Sequence, residues 1–492
     1  MGMTFQARMP FDAHSSLGVG CRCRINILMH AGTPKMTRMN SKGQTAKEDD
    51  PFYTNHNRLA QKEDTSSDLS TTSAVTGVLI LLTPNILVWL VYFVCGLGSS
   101  TEEFYRLGFL RFTYNAWTAP GGFTYDVWMW ILLLAVYAAA GLLFLPGDVF
   151  YGPTTNSGHK PAYRHTAIPY YILSMGIAGY LLLVRDIPCW PIYRMFPGIT
   201  VGITVFGLLV CVLLYIKGTL CPSPGEWGSS GSRVFDFYWG LELYPRIGKH
   251  LDMKQWSICR VALAVWQFFV LVSWKAQVEH SGWNWLMAAS AILQSSYILK
   301  CILAEDWYIN GFEFARDRAG HYLVFGSMSF QGIYYSVTSM YLVEHCPENS
   351  AVLGLTVIAL GFSMTALNYW ADRQKTVARE SDGKCIIWGS PAKILRAKYL
   401  DEHGNEKTSL LLASGFWSIS RHMNYLFDVL GAFCWALPAG TGGVTPYLLP
   451  LFVTGFMLHR SWRDETKCSK KYKEYWTEYC SIVKYQLIPF VF

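Results

Sequence analysis

The sequence has few charged residues for its length. Of its 492 residues, 15% are charged, whereas about 25% is usual in soluble domains. A soluble chain of this size divides into several domains, each of which needs a polar surface. The charged residues are too few to cover such surfaces, and 51% of the chain is hydrophobic. The shortage of charge therefore indicates that lipid surrounds much of the chain.

The sequence also lacks the patterns of several common binding sites. The thirteen cysteines contain no CxxC pair, and Cys21 and Cys23 would need two more ligands to hold zinc. No stripe of Lys and Arg with interleaved aromatic residues accompanies the modest net charge of +7, which argues against nucleic-acid binding. No GxGxxG motif follows a strand, so no Rossmann site is predicted. We expect no metal site and no nucleic-acid partner.

The first 72 residues differ from the rest of the chain. They lack the apolar core of a signal peptide and are rich in Ser, Thr, Asn and Lys. Segments of this composition bury too little apolar surface to fold. We therefore expect residues 1–72 to form a disordered cytosolic tail.

Long apolar runs follow Thr72. Crossing a bilayer as a helix takes about 20 apolar residues. Runs of this kind lie at Val75–Leu97, Val127–Leu145, Ile168–Val184, Ile199–Ile216, Ile258–Trp274, Trp283–Leu303, Tyr322–Val343 and Ala351–Trp370, with weaker ones at Leu411–Leu437 and Tyr447–Leu458. The sequence thus predicts an all-α polytopic membrane protein with about ten transmembrane helices. The Lys and Arg excess between Arg373 and Lys407 places that loop and both termini in the cytoplasm.

This loop contains a predicted hairpin. Gly404-Asn405 lies between two short stretches, of which the second begins at Glu406, and Gly-Asn in this setting is a hairpin signal. We expect a small cytosolic hairpin that forms a lid or wall for a soluble cofactor. The alternative is a solvated linker.

Polar groups concentrate in the C-terminal third, where they suit an anionic, aromatic cofactor. Lys375 and Arg379 lie four residues apart and could hold phosphate. Trp417 and Tyr425 could stack on rings. A stripe with a spacing of four residues carries Arg460, Asp464, Cys468 and Tyr472. The alternative is that these groups are snorkelling side chains and helical ion pairs.

Several segments resemble the sterol reductase family of the endoplasmic reticulum, which includes sterol 7-, 14- and 24(28)-reductases. They are Leu411–Asp428 with its Arg421-His-Met-Asn-Tyr425, the ending His459–Pro489, and the loop Gly240–Gly248. The stretch Ser381–Ser390 is most similar to the branch that acts on 7-dehydrocholesterol. The similarity extends over nearly everything from Val75 onward.

The resemblance implies an NADPH-dependent oxidoreductase in the endoplasmic reticulum membrane that reduces a sterol ring double bond. The Δ7 bond of a 5,7-diene sterol is the expected target. Residues 73–370 would form the transmembrane bundle with the sterol pocket, and residues 371–492 the NADPH-binding hairpin and helices. The expected partners are a sterol and membrane lipid, and other enzymes of the sterol pathway are possible partners.

The resemblance also assigns roles to residues. Tyr297 is expected to help deliver the proton, with Asp464 as a second candidate. The expected NADPH contacts are Lys375, Arg379, Leu412, Trp417, Asn424, Tyr425, Asp464, Cys468, Ser469, Lys470, Lys471, Tyr472 and Tyr479.

The chain departs from the family pattern mainly in the sterol half. The departures are Tyr244, Lys300, Arg316, Phe325-Gly-Ser327 and Phe330…Gly332. There are three alternatives to the expected activity: a 14- or 24(28)-reductase, a membrane methyltransferase of the isoprenylcysteine type, whose C-terminal region is similar in outline, and a sterol-binding paralogue with altered activity. Met423 argues against the methyltransferase, which has Arg-His-Pro at this point of its motif.

Overall fold

The chain folds mainly into helices. The computed structural model describes residues 66–154, 158, 160–223, 226–400 and 406–491. The predicted tail up to residue 65 and the predicted Gly404-Asn405 turn lie outside these residues. Helix α1 begins at Ser66, six residues before the end of the predicted tail at residue 72.

Helices before the C-terminal region make up most of the fold. They are α1 (Ser66–Val91), α2 (Thr101–Leu107), α3 (Phe109–Trp117), α4 (Tyr125–Phe144), α5 (Ala167–Gly179), α6 (Cys189–Arg194), α7 (Phe196–Leu220), α8 (Arg233–Trp239), α9 (Leu263–Ser281), α10 (Trp285–Leu303), α11 (Glu305–Ile309), α12 (Phe312–Ala315), α13 (Gly332–Tyr334), α14 (Val337–Glu344) and α15 (Ala351–Glu380). π-Helical segments lie at Tyr92–Gly96, Tyr180–Val184, Gln255–Ala262 and His321–Gln331.

The C-terminal region adds four α-helices and four of the eight described strands. The helices are α16 (Phe416–Ile419), α17 (Met423–Ala436), α18 (Leu448–Tyr472) and α19 (Glu474–Ile482). The strands among the described residues are β1 (Val149–Tyr151), β2 (Ala162–Arg164), β3 (Arg246–Ile247), β4 (Leu251–Asp252), β5 (Ile386–Ile387), β6 (Ser390–Pro391), β7 (Ile394–Leu400) and β8 (Glu406–Leu412). Each pairs antiparallel with its neighbour along the chain, in four separate two-stranded sheets.

Among the described residues, seven helical segments are long and apolar enough to cross a membrane. They are Thr72–Gly96, Tyr125–Phe144, Ala167–Val184, Phe196–Leu220, Gln255–Ser281, Trp285–Leu303 and Ala351–Glu380. Each coincides with a predicted span, and the prediction of a polytopic helical membrane protein is confirmed. Apolar runs of this length form helices because no water is present in the bilayer to satisfy an open backbone.

The predicted count of ten spans is not confirmed. The segment Tyr322–Val343 is interrupted, since a π-helical segment up to Gln331 and two short helices cover it. The prediction for Leu411–Leu437 is wrong at its start, because Leu411 and Leu412 belong to strand β8 and pair with β7. The predicted Tyr447–Leu458 span begins within a residue of α18, which continues to Tyr472.

Close helix contacts hold α15 against its neighbours. A Cβ atom on Gly354 would lie 2.8 Å from the carbonyl oxygen of Trp285, and one on Gly361 would lie 2.5 Å from the Leu293 side chain. Small residues permit such approach between membrane helices, where van der Waals packing replaces the hydrophobic effect as the main attraction. The other side of α15 packs along α17, and this pair carries much of the site described below.

The hairpin of β7 and β8 packs against the C-terminal helices, which confirms the predicted hairpin. Ile394 pairs with Leu412, and Leu400 pairs with Glu406. One apolar cluster joins the hairpin to α18 and α19; its buried members are Ala397, Ala413, Tyr472, Trp476, Tyr479 and Val483. The hairpin therefore forms a wall beside the helices that carry the expected cofactor contacts.

Candidate functional site

The expected cofactor contacts lie on six neighbouring elements. Lys375 and Arg379 lie in the last two turns of α15, and Leu412 ends β8. Trp417 lies in α16, Asn424 and Tyr425 in the first turn of α17, and Tyr479 in α19; the remaining expected contacts are Asp464, Cys468, Ser469, Lys470, Lys471 and Tyr472, all in α18. Direct contacts link α15 to α16 and α17, α17 to α18, and the hairpin to α18 and α19.

Lys375 lies over the face of Trp417. Its ammonium is 3.9 Å from the centroid of the indole ring, a geometry in which the ring quadrupole attracts the cation. The Trp417 indole N–H donates to the carbonyl oxygen of Ala371 at 2.8 Å, and the side chain is buried against Leu412, Ala378 and Ile387. Trp417 therefore holds Lys375 in place, and that face of the indole is not open for stacking.

Two cations lie close together at this end of α15. The charge of Arg379 repels the Lys375 ammonium, and the charges of Asp372 and Asp464 attract it. Arg379 is exposed, whereas Lys375 is half-buried. Two adjacent cations, of which one is fixed on an aromatic ring, form a site that an anion would stabilise.

Asn424 joins α17 to α15. Its side-chain amide donates to Asp372 Oδ1 at 3.0 Å, and its backbone carbonyl accepts a 2.9 Å hydrogen bond from Asn368. The amide oxygen of Asn424 is buried and has no hydrogen-bond partner among the described residues.

One more buried polar atom shares this condition, since Nε2 of Gln374 has no hydrogen-bond partner in the described part of the chain. Nε2 of His422 instead faces Glu465 Oε1 at 3.7 Å. Buried polar groups are normally satisfied. Unpaired atoms on α15 and at the start of α17 therefore fit a polar ligand with donors and acceptors of its own, such as a nucleotide.

A direct hydrogen bond joins Tyr425 to Asp464. The Tyr425 hydroxyl donates to Asp464 Oδ2 at 2.7 Å and accepts from Arg460 Nε at 3.1 Å. Arg460 also pairs with Glu313 at 2.7 Å. Stacking on His422 at 5.0 Å covers one face of the Tyr425 ring. Asp464 thus lies at the end of a chain of hydrogen bonds that starts at Glu313 of α12.

The remaining expected contacts on α18 are of two kinds. Ser469 and Lys470 are exposed, while Lys471 lies 3.9 Å from the centroid of the Tyr399 ring on the hairpin. Burial raises the pKa of the Cys468 thiol to about 11, so this side chain is not a thiolate at neutral pH. Cys468 therefore offers a small apolar contact, and the lysines offer charge.

Tyr472 and Tyr479 bind the hairpin. The Tyr472 hydroxyl lies 3.1 Å from Ser409 Oγ, within hydrogen-bond distance, and the Tyr479 hydroxyl donates to the Leu412 carbonyl oxygen at 2.8 Å. Both hydroxyls bridge α18 or α19 to β8. These bonds fix the wall of the site.

Tyr297 lies on α10, in a second group of polar residues. Its ring packs edge-on against Trp435, with centroids 5.1 Å apart. The Lys300 ammonium lies 5.0 Å from the Tyr297 ring centroid and 3.7 Å from Asp428. The two expected proton donors thus belong to different groups, Tyr297 with Lys300 and Asp428, and Asp464 with Tyr425.

Several residues of the site were not expected from the sequence. Asn368 and Asp372 bind Asn424, and Glu313 binds Arg460. Asn368 and Asp372 continue the helical face of Lys375 and Arg379 toward the N-terminus of α15, with spacings of three and four residues. That periodicity was a usable signal, whereas nothing in the sequence pairs Glu313 with a residue so distant along the chain.

Some residues that depart from the family pattern are packed inside the bundle. Phe325 stacks on His321 with centroids 4.7 Å apart, and Ser327 donates to the carbonyl oxygen of Leu323 at 2.6 Å. A Cβ atom on Gly332 would lie 2.8 Å from Val265. These residues shape the interior of the bundle rather than the region of the expected cofactor contacts.

Comparison with known proteins shows what the chain is similar to. The model of the ergosterol biosynthesis ERG4/ERG24 family matches residues 91–492. The chain is 33% identical to 7-dehydrocholesterol reductase of Arabidopsis thaliana over 441 residues, which cover 87% of this chain and all of that protein. It is 27% identical to Delta(14)-sterol reductase of Methylotuvimicrobium alcaliphilum over 356 residues, covering 72% of this chain and 80% of the relative.

Proposed function

The chain belongs to the ergosterol biosynthesis ERG4/ERG24 family, and we propose that it reduces the Δ7 double bond of a 5,7-diene sterol with NADPH. Membership of this family supports sterol reductase activity, which is the reduction of a carbon–carbon double bond. The Δ7 bond, NADPH and the endoplasmic reticulum membrane are the finer parts of the proposal. A relative named 7-dehydrocholesterol reductase that aligns along its whole length supports the Δ7 bond.

The observation that carries the cofactor proposal is the polar site of α15 and α17. Two adjacent cations suit the phosphates of NADPH, and the unpaired buried atoms of Asn424 and Gln374 suit its amide and hydroxyl groups. In our proposal Lys375 and Arg379 hold phosphate, and Asn424 holds an amide or a hydroxyl. The hydrogen bonds of Tyr472 and Tyr479 to the hairpin hold the wall of the site in place. Bound NADPH supplies a hydride.

The chemistry requires an acid on the other side of the sterol bond. An isolated alkene does not accept a hydride, but protonation of a conjugated diene gives an allylic cation that does. The protein must therefore position a proton donor and exclude water. We assign the proton to the Tyr297 hydroxyl, because Tyr297 lies inside the apolar bundle against Trp435 and Trp266. Asp464 is the second candidate, through its bond to Tyr425.

A second candidate function is reduction of the Δ14 bond. Relatives named Delta(14)-sterol reductase from Methylotuvimicrobium alcaliphilum and Arabidopsis thaliana support it, at 27% and 26% identity. Phe325 and Ser327, which depart from the family pattern, lie in the interior of the bundle, where they would affect which bond of the sterol faces the proton donor.

Sterol analysis in yeast tests both candidates. The chain is expressed in a strain without its own late sterol reductases, and the accumulated sterols are identified by mass spectrometry. Loss of 5,7-dienes together with gain of Δ5 sterols is the expected result. Loss of 8,14-dienes alone would replace the Δ7 proposal by the Δ14 one. Unchanged sterols, with the protein present in the membrane, would contradict both.

A further inference from the structure

An ion pair inside the helical bundle lies beside the proposed proton donor. Lys300 follows Tyr297 by about one turn of α10, and its ammonium lies 5.0 Å from the Tyr297 ring centroid. The same ammonium lies 3.7 Å from Asp428 of α17 and donates a 2.5 Å hydrogen bond to Asn368 of α15. Lys300 therefore contacts two neighbouring helices at the place where Tyr297 lies.

This pair differs from an ordinary ion pair at the end of a span. Lys275 on α9 also pairs with a carboxylate, but its partner Asp186 is 76% exposed. The Lys300 and Asp428 side chains are 28% and 18% exposed, so both are largely withdrawn from solvent. Ionisable residues in membrane spans are costly and usually have a function. The cost of Lys300 is offset by Asp428 and Asn368 together.

The two charges act on Tyr297 in opposite directions. A tyrosine that gives its proton to a sterol becomes an anion, which a neighbouring carboxylate destabilises and a neighbouring ammonium stabilises. The Asp428 carboxylate and the Tyr297 ring both lie next to the Lys300 ammonium, at 3.7 Å and 5.0 Å, so both charges are near the tyrosine. Lys300 pairs with Asp428, and Arg460 also attracts it, so removal of Lys300 would leave Asp428 less well neutralised and more opposed to proton transfer.

Lys300 also connects Tyr297 to the cofactor side. Asn368 accepts the hydrogen bond from Lys300 and donates one to the backbone carbonyl of Asn424 at 2.9 Å. Asn424 is a proposed NADPH contact. Two hydrogen bonds thus link the cation beside the proton donor to the backbone of the cofactor site, which fixes the position of Lys300 relative to both.

We propose that Lys300 is a positioning residue for proton transfer. Its ammonium neutralises Asp428 and stabilises the tyrosinate formed from Tyr297. This inference rests on the proposed function. In the reaction the O–H bond of Tyr297 breaks, and the π electrons of the sterol bond form the new C–H bond. The resulting allylic cation accepts a hydride, with both its electrons, from NADPH, which becomes NADP⁺. The tyrosinate regains a proton from water.

The test compares Lys300→Gln with Lys300→Arg. The glutamine keeps a donor for Asn368 but removes the charge, whereas the arginine keeps the charge. An opposite charge at this distance changes proton affinity about 10- to 1000-fold, so we expect Lys300→Gln to slow single-turnover reduction by a factor in that range. The affinities for NADPH and sterol should stay unchanged, and Lys300→Arg should recover most of the rate. Lys275→Gln, which removes the other pair, is the matched control and should react at the wild-type rate.

A double variant tests the role of Asp428. Lys300→Gln with Asp428→Asn removes both charges and should react faster than Lys300→Gln alone. The inference is overturned if Lys300→Gln reacts at the wild-type rate, or if Lys300→Arg reacts no faster than Lys300→Gln. It is also overturned if Lys300→Gln lowers the affinity for NADPH or sterol but not the reaction rate. If Lys300→Gln does not fold, Asp428→Asn alone decides, because it should react at least as fast as the wild type and a slower reaction overturns the inference. A wild-type chain that reduces no sterol overturns the proposed function as well.

Discussion

The pair of cations on α15 allows a sharp test of nucleotide selectivity. We expect Arg379→Ala to weaken NADPH binding far more than NADH binding, because NADPH carries one additional phosphate. A charge-assisted hydrogen bond contributes about 1.5–3 kcal/mol, which corresponds to roughly 10- to 150-fold in Kd. Arg379 is exposed, so its replacement leaves the packing of α15 unchanged and the whole loss should fall on the nucleotide with the extra phosphate.

Lys375→Ala should behave differently because of Trp417. Lys375 lies 3.9 Å from the indole centroid, and a cation–π contact of this kind contributes about 0.5–2 kcal/mol. Loss of this contact should loosen Trp417 and its neighbour Leu412, which are both expected cofactor contacts. NADH binding should therefore weaken too, by up to about 30-fold.

The assay is calorimetric titration of NADPH and NADH into protein in lipid nanodiscs. Arg373→Ala is the matched control, since Arg373 lies on the same helix and pairs with Glu380 outside the site. Equal losses of NADPH and NADH affinity in Arg379→Ala would show that Arg379 does not bind the distinguishing phosphate and would refute the assignment.

Three further outcomes are expected. Tyr297→Phe should bind NADPH and sterol normally but slow single-turnover NADPH oxidation roughly 10²–10⁴-fold; a wild-type rate would leave Asp464 as the donor. Gly354→Ala should lower thermal stability by about 1–3 kcal/mol because of its contact with the backbone of α10, whereas Gly176→Ala, which meets no neighbour, should be neutral. Glu465 is partly buried, which by itself raises its pKa, but the neighbouring His422 ring and the hydrogen bond from Arg421 outweigh burial and lower it. Glu465→Gln should therefore destabilise the protein by about 1–3 kcal/mol at pH 7. In thermal unfolding this difference should shrink as the pH falls below the ordinary pKa of glutamate. A difference that stays constant with pH would exclude the charge effect.

The membrane helices were the most predictable part of the fold. Runs such as Trp283–Leu303 have one structural solution in lipid, and α10 follows that run within two residues. Leu410 to Leu412 are equally apolar but form strand β8, because the hairpin partner Ile394 and its neighbours supply hydrogen bonds. Local hydrophobicity cannot distinguish these outcomes, since the pairing is decided by residues elsewhere along the chain.

The site was predictable only in part, for a similar reason. The spacing of Lys375 and Arg379 indicated two neighbouring cations, and the structure has them adjacent. The contact of Lys375 with Trp417 and the pairing of Lys300 with Asp428 join residues on different helices. Such contacts depend on how the helices pack, which sequence periodicity does not specify.

Isotope tracing tests the central claim most directly. Purified protein in nanodiscs is given 7-dehydrocholesterol with NADPH that carries deuterium at the transferable position of C4, first in H₂O and then, with unlabelled NADPH, in D₂O. The account predicts a product saturated at the Δ7 bond that gains one deuterium from the cofactor in the first reaction and one from solvent in the second. A product without cofactor-derived deuterium, or no reduced sterol at all from active, folded protein, would contradict it.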